Sequence, residues 1–316
     1  MVQRKKEVKI SPHDAAKAAS NVLNGVQSAT SSAEKAVSNV TTSEKDKVIG
    51  ALDQNGNGSV DIEDIIILGL KTPGVKINRA TFLRSEFKTT YPKSVVNKAI
   101  ETTPEQAGIE HADIDKVAND VINHERIGVS GISTALGMPG GVAMVATIPA
   151  DIVQYYGFML RAAQELMYLY GFPEINLNEK EGVFDSQTIN TLILCLGVMY
   201  GVAGANNAIK AMAKGLATGV QKKLMQTALT KGTVYPIVKS VSKWFGVHMT
   251  KEVFAGFFKK AIPVVGGVVG GGLTFVTFKP CCERLKKSLK DTALSNKKHQ
   301  ESKEEQEIFD AMITKK

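Results

Sequence analysis

Hydrophobic and polar positions divide the chain into three: a polar N-terminal stretch, a short helix–loop–helix pattern, and a long half in which uncharged and charged stretches alternate. Residues 1–42 are small and polar. Only Ala15, Ala18, Val22 and Val26 fall at helical spacing, which reads as an arm or a weakly docked helix. Ser43 to Leu52 is a short helix candidate, and Ile65 to Leu70 is a second, stopped by Thr72-Pro73-Gly74. Residues 76–125 read as mostly helical with breaks at Pro92 and Pro104. Thr103-Pro104 marks a helix start, and His111 to Ile122 has an amphipathic pattern.

Charge then disappears. Ile127 to Ala150, Ser186 to Ile209 and Ala261 to Phe278 contain no charged residue, and they are rich in Gly, Ala, Val and Ile. Between them lie a helix from Ile152 to Leu169, apolar nearly all round and ended at Tyr170-Gly171-Phe172, and charged amphipathic segments at Lys210–Lys231 and Val238–Lys260. Beyond Phe278 the chain is basic, and from Ser295 it carries mixed charge, as a solvated helix or a frayed end would. The expected fold class is all-α. The expected units are an arm (1–42), a helix–loop–helix (43–75), a helical connector (76–114), an apolar helical domain (115–292) and a charged tail (293–316).

Composition narrows the functional classes. The formal charge of +8 favours anionic partners, and aromatic residues at 6% argue against carbohydrate platforms and single-strand stacking surfaces. Three cysteines suit a reducing compartment rather than a disulfide scaffold. The basic start Arg4-Lys5-Lys6 is followed by no apolar run, so no secretory signal is read; the expected location is the cytoplasm or its membrane face.

The most specific motif is the loop Asp53 to Asp64. Calcium takes six to eight oxygen ligands around a tight turn. Asp53, Asn55 and Asn57 fall at loop positions one, three and five. Gly58 is at the sharp turn, Ser59 supplies a backbone carbonyl, Asp61 is at position nine and Asp64 closes the loop. Asparagine at positions three and five removes charge, and Asp rather than Glu at position twelve shortens the closing arm. Both lower the expected affinity, to a dissociation constant on the order of 10⁻⁵ to 10⁻³ M. The expected ligand is Ca²⁺, with Mg²⁺ as the other candidate. No second loop of this kind is read, whereas calcium sensors normally pair two.

Four segments carry a family resemblance: Ile148-Pro149-Ala150-Asp151, Leu160-Arg161, Leu169-Tyr170-Gly171-Phe172, and Ile262-Pro263-Val264-Val265-Gly266-Gly267-Val268-Val269-Gly270-Gly271-Gly272. Their order over about residues 115–292 resembles the EcsC family. The resemblance implies a helical, membrane-facing domain and no catalytic residues. Phe172-Pro173 departs from the Tyr-Asp pair at that corner of the family pattern, and the calcium loop is an addition to it.

Spanning a bilayer takes about 20 apolar residues, a length two of the uncharged stretches reach. Small residues four apart, at Gly137/Gly141, Gly197/Gly201 and Gly266/Gly270, let helices approach closely, in membranes or in soluble cores. Asp151, Arg161 and Glu165 are the polar groups expected inside the apolar helix cluster, with Arg161 and Glu165 spaced to pair.

Phosphate-loop, dinucleotide, zinc-protease and nucleophile-elbow patterns do not occur. The five histidines read as surface or helix-end residues, and Cys281-Cys282 as a candidate acylation pair if they lie beside a membrane. The expectation is a non-enzymatic calcium-binding protein that associates with the cytoplasmic membrane face. Its partners would be anionic lipids or a membrane protein, not nucleic acid. The alternative is a soluble helical scaffold in which the cation only stabilises a surface loop.

Overall fold

The computed structural model describes residues 53–58, 60–131, 150–175, 177–178, 183–248 and 271–314. Among them are twelve helices: α1 (Ile62–Lys71), α2 (Arg79–Phe87), α3 (Lys93–Glu101), α4 (Pro104–Ala107), α5 (His111–Gly131), α6 (Ala150–Leu169), α7 (Ser186–Tyr200), α8 (Ala205–Ala217), α9 (Lys222–Thr230), α10 (Tyr235–His248), α11 (Gly271–Lys290) and α12 (Lys303–Ile313). The fold is helical, as the periodicity predicts. The one addition is a two-residue antiparallel pair, β1 (Leu177–Asn178) with β2 (Val183–Phe184).

Local caps start and stop these helices. Thr103 accepts the N–H of Gln106 at the start of α4, with Pro104 just inside. Asp185 does the same for Thr188 at the start of α7. Helix α6 stops before Gly171, where the N–H of Phe172 reaches back to the carbonyl of Met167.

The core is organised around α6 and α7. Helix α6 packs on α1, α2, α5, α7 and α11, and α7 is surrounded by α1, α6, α8, α9, α10 and α11. Every residue of α7 from Thr188 to Tyr200 is buried. Its missing charge thus has a physical reason: the helix is enclosed by protein on all sides. Its buried Asn190 side chain donates to the carbonyl of Leu229 at 3.0 Å, which ties α7 to the end of α9. The uncharged run is also cut in two, because α7 ends at Tyr200 and α8 begins at Ala205. Among the described residues, no helix is long and apolar enough to cross a membrane.

The paired glycines of this run do different jobs. A Cβ on Gly197 would come within 2.8 Å of Val241 and 2.9 Å of Ala205, so Gly197 is where α10 and the start of α8 press on α7. Gly201 packs against nothing. It adopts φ +72° as the left-handed stop of α7. Its expected packing role is therefore corrected to a turn role. Gly137, Gly141, Gly266 and Gly270 lie outside the described residues.

Two further expectations change. The segment after Ser295 is docked. Thr292 and Ser295 are buried under the end of α11, and α12 lays Phe309 and Met312 on α8 and α9. Cys281 and Cys282 are buried on α11 at 1% and 0% exposure, and burial pushes the Cys281 thiol up to about 12. They are core residues, closed to acylation in this fold.

Candidate functional site

The loop before α1 is built by its own carboxylates. Asp53 Oδ1 accepts the N–H of Gly56 at 2.7 Å and of Asn57 at 3.0 Å, and Oδ2 accepts that of Gly58 at 2.7 Å. This wraps the chain around one side chain, and it needs φ of +73° and +81° at Gly56 and Gly58. Asn57 closes the circle: its N–H donates to Asn55 Oδ1 at 3.0 Å, and its side-chain amide donates to Asp61 Oδ2 at 2.9 Å. Side chains at positions one, three, five and nine therefore meet around one turn. Ser59 lies outside the described residues.

Asp61 also caps α1, accepting the N–H groups of Glu63 and Asp64. Asp64 does something not anticipated. Its Oδ1 accepts the N–H of Gln54 at 2.7 Å and of Asn55 at 3.1 Å, while Oδ2 accepts that of Asp61 at 2.8 Å. The carboxylate is fully buried and clasps the two ends of the loop together. Burial raises its proton affinity, against the three hydrogen bonds that lower it. Glu63 is raised too, first by burial and then by Asp61. Beneath the loop, α1 buries Ile62, Ile65, Ile66 and Leu70 in the common core.

The donor set suits a hard divalent cation in kind, being oxygen throughout, and is short in number. Carboxylates at Asp53 and Asp61 and amides at Asn55 and Asn57 surround the turn, but Asp64 is held by backbone N–H groups. Among the described residues no set of three or more His, Cys, Asp or Glu side chains is gathered as a metal site.

The expected buried polar cluster is real in part. Arg161 Nε reaches both oxygens of Glu125 at 3.0 and 3.1 Å, and its Nη2 lies 3.5 Å from Glu165. Its Nη1 bonds the carbonyl of Gly74, which ties α6 to the chain leaving α1. Glu125, absent from the sequence reading, is the main partner; it is 36 residues away on α5 and 1% exposed. Two carboxylates share one cation. Burial, then the neighbouring Glu125 charge, pushes Glu165 up to about 8, and burial raises Glu125 too, against the charge and hydrogen bond of Arg161 that lower it. Asp151 starts α6, and its side chain lies outside the described set. With Nε on Glu125, Nη2 beside Glu165 and Nη1 on the carbonyl of Gly74, Arg161 is a structural tie between α1, α5 and α6.

Two other polar groups, and a pair of cavities, escape a linear reading. Arg79 is buried and donates to the carbonyls of Ala99, Ile100, Thr102 and Phe172, capping the end of α3 with positive charge. The His299 side chain is 3% exposed, between Asp291 at 2.9 Å and the fully buried Glu305 at 2.9 Å. Two cavities, of about 270 and 440 Å³, share a wall at Pro173, Glu174 and Leu216. Their charged lining is largely engaged: Asp185 caps α7, Glu174 accepts from Asn78, and Arg79 is spent on carbonyls.

Comparison with family models, with curated proteins and with solved structures returns no match.

Proposed function

We propose that this chain binds a divalent cation, Ca²⁺ before Mg²⁺, in the loop Asp53–Asp64, and works without catalysis as a peripheral protein on an anionic membrane surface. The observation that carries the cation half is the wrapping of residues 53–58 around the Asp53 carboxylate, with Asn55, Asn57 and Asp61 brought to the same turn. Asp53, Asn55, Asn57 and Asp61 would hold the ion, which supplies positive charge where carboxylates crowd. Its effect would pass to the core through α1, because a ligand stabilises whatever it binds only in the folded state. The membrane half rests on the net charge of +8 and the resemblance to the EcsC family. A cytoplasmic location goes with it.

The Asp64 clasp favours a second reading, in which the loop is already held by its backbone hydrogen bonds and a cation adds only local stability. Calorimetric titration of the full chain with Ca²⁺ and Mg²⁺ tests the first reading, with Asp53→Asn as the variant that keeps the side-chain shape. Micromolar to millimolar binding that Asp53→Asn weakens at least tenfold supports it. An identical isotherm in the variant, or no heat at millimolar Ca²⁺, sinks it.

A further inference from the structure

We propose that the solvent side of α9 and α10 is the face that docks on an anionic lipid bilayer. This rests on the membrane reading above and is independent of the cation. Between Ser186 and Lys251 the sequence contains no Asp, no Glu and no Arg, although acidic residues number 31 in 316 overall. The lysines of that interval fall into two groups. Lys210 and Lys214 on α8 are neutralised by Asp291 and Glu301. Lys222, Lys223, Lys231, Lys239 and Lys243, on and between α9 and α10, are exposed, and none forms an ion pair among the described residues.

The two helices pack on each other, and their inner sides are fixed by burial of Met225, Ala228 and Leu229 on α9 and of Val238, Val241 and Phe245 on α10. Lys223, Lys239 and Lys243 therefore lie on the sides of the two helices away from those buried residues, and Lys222 stands at the rim of the cavity beside Glu174 and Asp185. The neighbouring aromatics suit an interface. Lys239 Nζ sits 5.1 Å over the Tyr235 ring, and Tyr235 and Trp244 are half-buried, with one edge in the core and the other toward solvent.

Chemistry chooses the partner. Lysine is a hydrated point charge on a flexible stem, suited to a diffuse field of head groups; arginine is the residue of forked, geometry-specific phosphate and carboxylate contacts. Lysine is also depleted at protein–protein interfaces. A lysine-only face therefore fits a fluid anionic surface better than a nucleic acid or an acidic protein.

The test is sedimentation of the full-length chain, in chelator, with vesicles of phosphatidylcholine alone or mixed with phosphatidylserine. Lys222→Gln/Lys223→Gln/Lys243→Gln is compared with wild type and with Lys297→Gln/Lys298→Gln/Lys303→Gln, which removes equal charge elsewhere. Lys239 is left in place because it also faces Glu63. Thermal melting of each variant checks folding. The expected result is binding to the mixed vesicles that falls about fivefold per lysine removed from the face, and hardly at all in the second variant. Equal loss in both variants would mean that net charge alone matters and would overturn the face. Undiminished binding by the first variant would overturn the face and leave the membrane reading standing. Failure of wild type to bind the mixed vesicles would remove both. Retention on duplex DNA at a salt concentration that releases the vesicles would overturn the choice of lipid.

Discussion

Helices α1 and α12 begin alike and are held differently. Each has a capping side chain, Asp61 or Ser302, and each carries a fully buried carboxylate three residues later, Asp64 or Glu305. At α1 the carboxylate turns back on the backbone: Asp64 accepts three N–H groups, one from its own cap residue, which completes a capping box. At α12 the backbone half is present, since Ser302 accepts the N–H of Glu305, but the Glu305 side chain leaves the box and meets His299. One longer methylene arm and one imidazole separate the two. A carboxylate bonded only to neutral N–H groups has no countercharge built into its surroundings. A carboxylate that has its cation built in gains nothing from an ion and responds to protons instead.

The largest effect is expected from breaking the C-terminal version. His299 presents both ring nitrogens to acceptor-only carboxylates, an arrangement the imidazolium alone satisfies. Removing it in His299→Ala leaves Glu305 buried without its cation, which is expected to cost about 3 kcal/mol. The loss should be local. Hydrogen exchange over residues 303–313 should lose protection, because α12 is otherwise held by Phe309, Met312 and the Lys214–Glu301 pair. The double variant His299→Phe/Glu305→Met should recover most of the loss, since an apolar pair needs no desolvated charge. Full protection in the single variant would show that the histidine does not hold the helix.

A smaller effect is expected at α1. Asp64→Asn keeps the size of the side chain but turns one acceptor oxygen into a donor facing N–H groups. The expected loss is about 1–2 kcal/mol, measured by urea denaturation. It should appear in global stability rather than as local fraying, because α1 buries Ile62, Ile65 and Ile66 in the common core. A variant as stable as wild type would mean that the clasp contributes nothing beyond what Asp53 and Asp61 supply.

The two helix starts also differ in how much of them the sequence reveals. The turn itself is legible because Asp53, Asn55, Asn57, Gly58 and Asp61 fall within one short polar segment, so spacing alone brings those side chains to one turn. The destination of Asp64 is not legible, since it depends on where the N–H groups of Gln54 and Asn55 point once the turn has formed. The latch at α12 is invisible for a different reason. His299, Asp291 and Glu305 look like scattered members of a charged tail until α11 and α12 are docked. The pairing of Arg161 with Glu125 across two helices is hidden in the same way. The uncharged run from Ser186 to Ile209 reports burial correctly over Thr188 to Tyr200, but Gly201, Ala203, Gly204 and Asn206 are exposed. Hydropathy does not distinguish surrounding lipid from surrounding helices, and here α7 is enclosed by helices.

The smallest effect separates the two starts by pH. Burial alone would lower the proton affinity of His299, but the hydrogen bonds and charges of Asp291 and Glu305 outweigh it and raise its pKa. Burial would raise Asp291, and its bonds from Lys210 and His299 hold it below the usual range. Lys210 pairs with Asp291 at the latch, and Lys214 pairs with Glu301, two residues beyond His299. A raised histidine binds its proton more tightly in the folded state than in the unfolded one. Its contribution is therefore complete below about pH 6.5 and is lost as the pH climbs through the raised folded value, at no more than about 1.4 kcal/mol per pH unit. Protection factors for residues 303–313, corrected for the base-catalysed exchange rate, should be flat below that point and fall above it. In His299→Ala the fall should vanish, because the group that titrates is gone. The same slope in wild type and variant would assign the pH response to some other group, and the built-in cation would then not be what distinguishes α12 from α1.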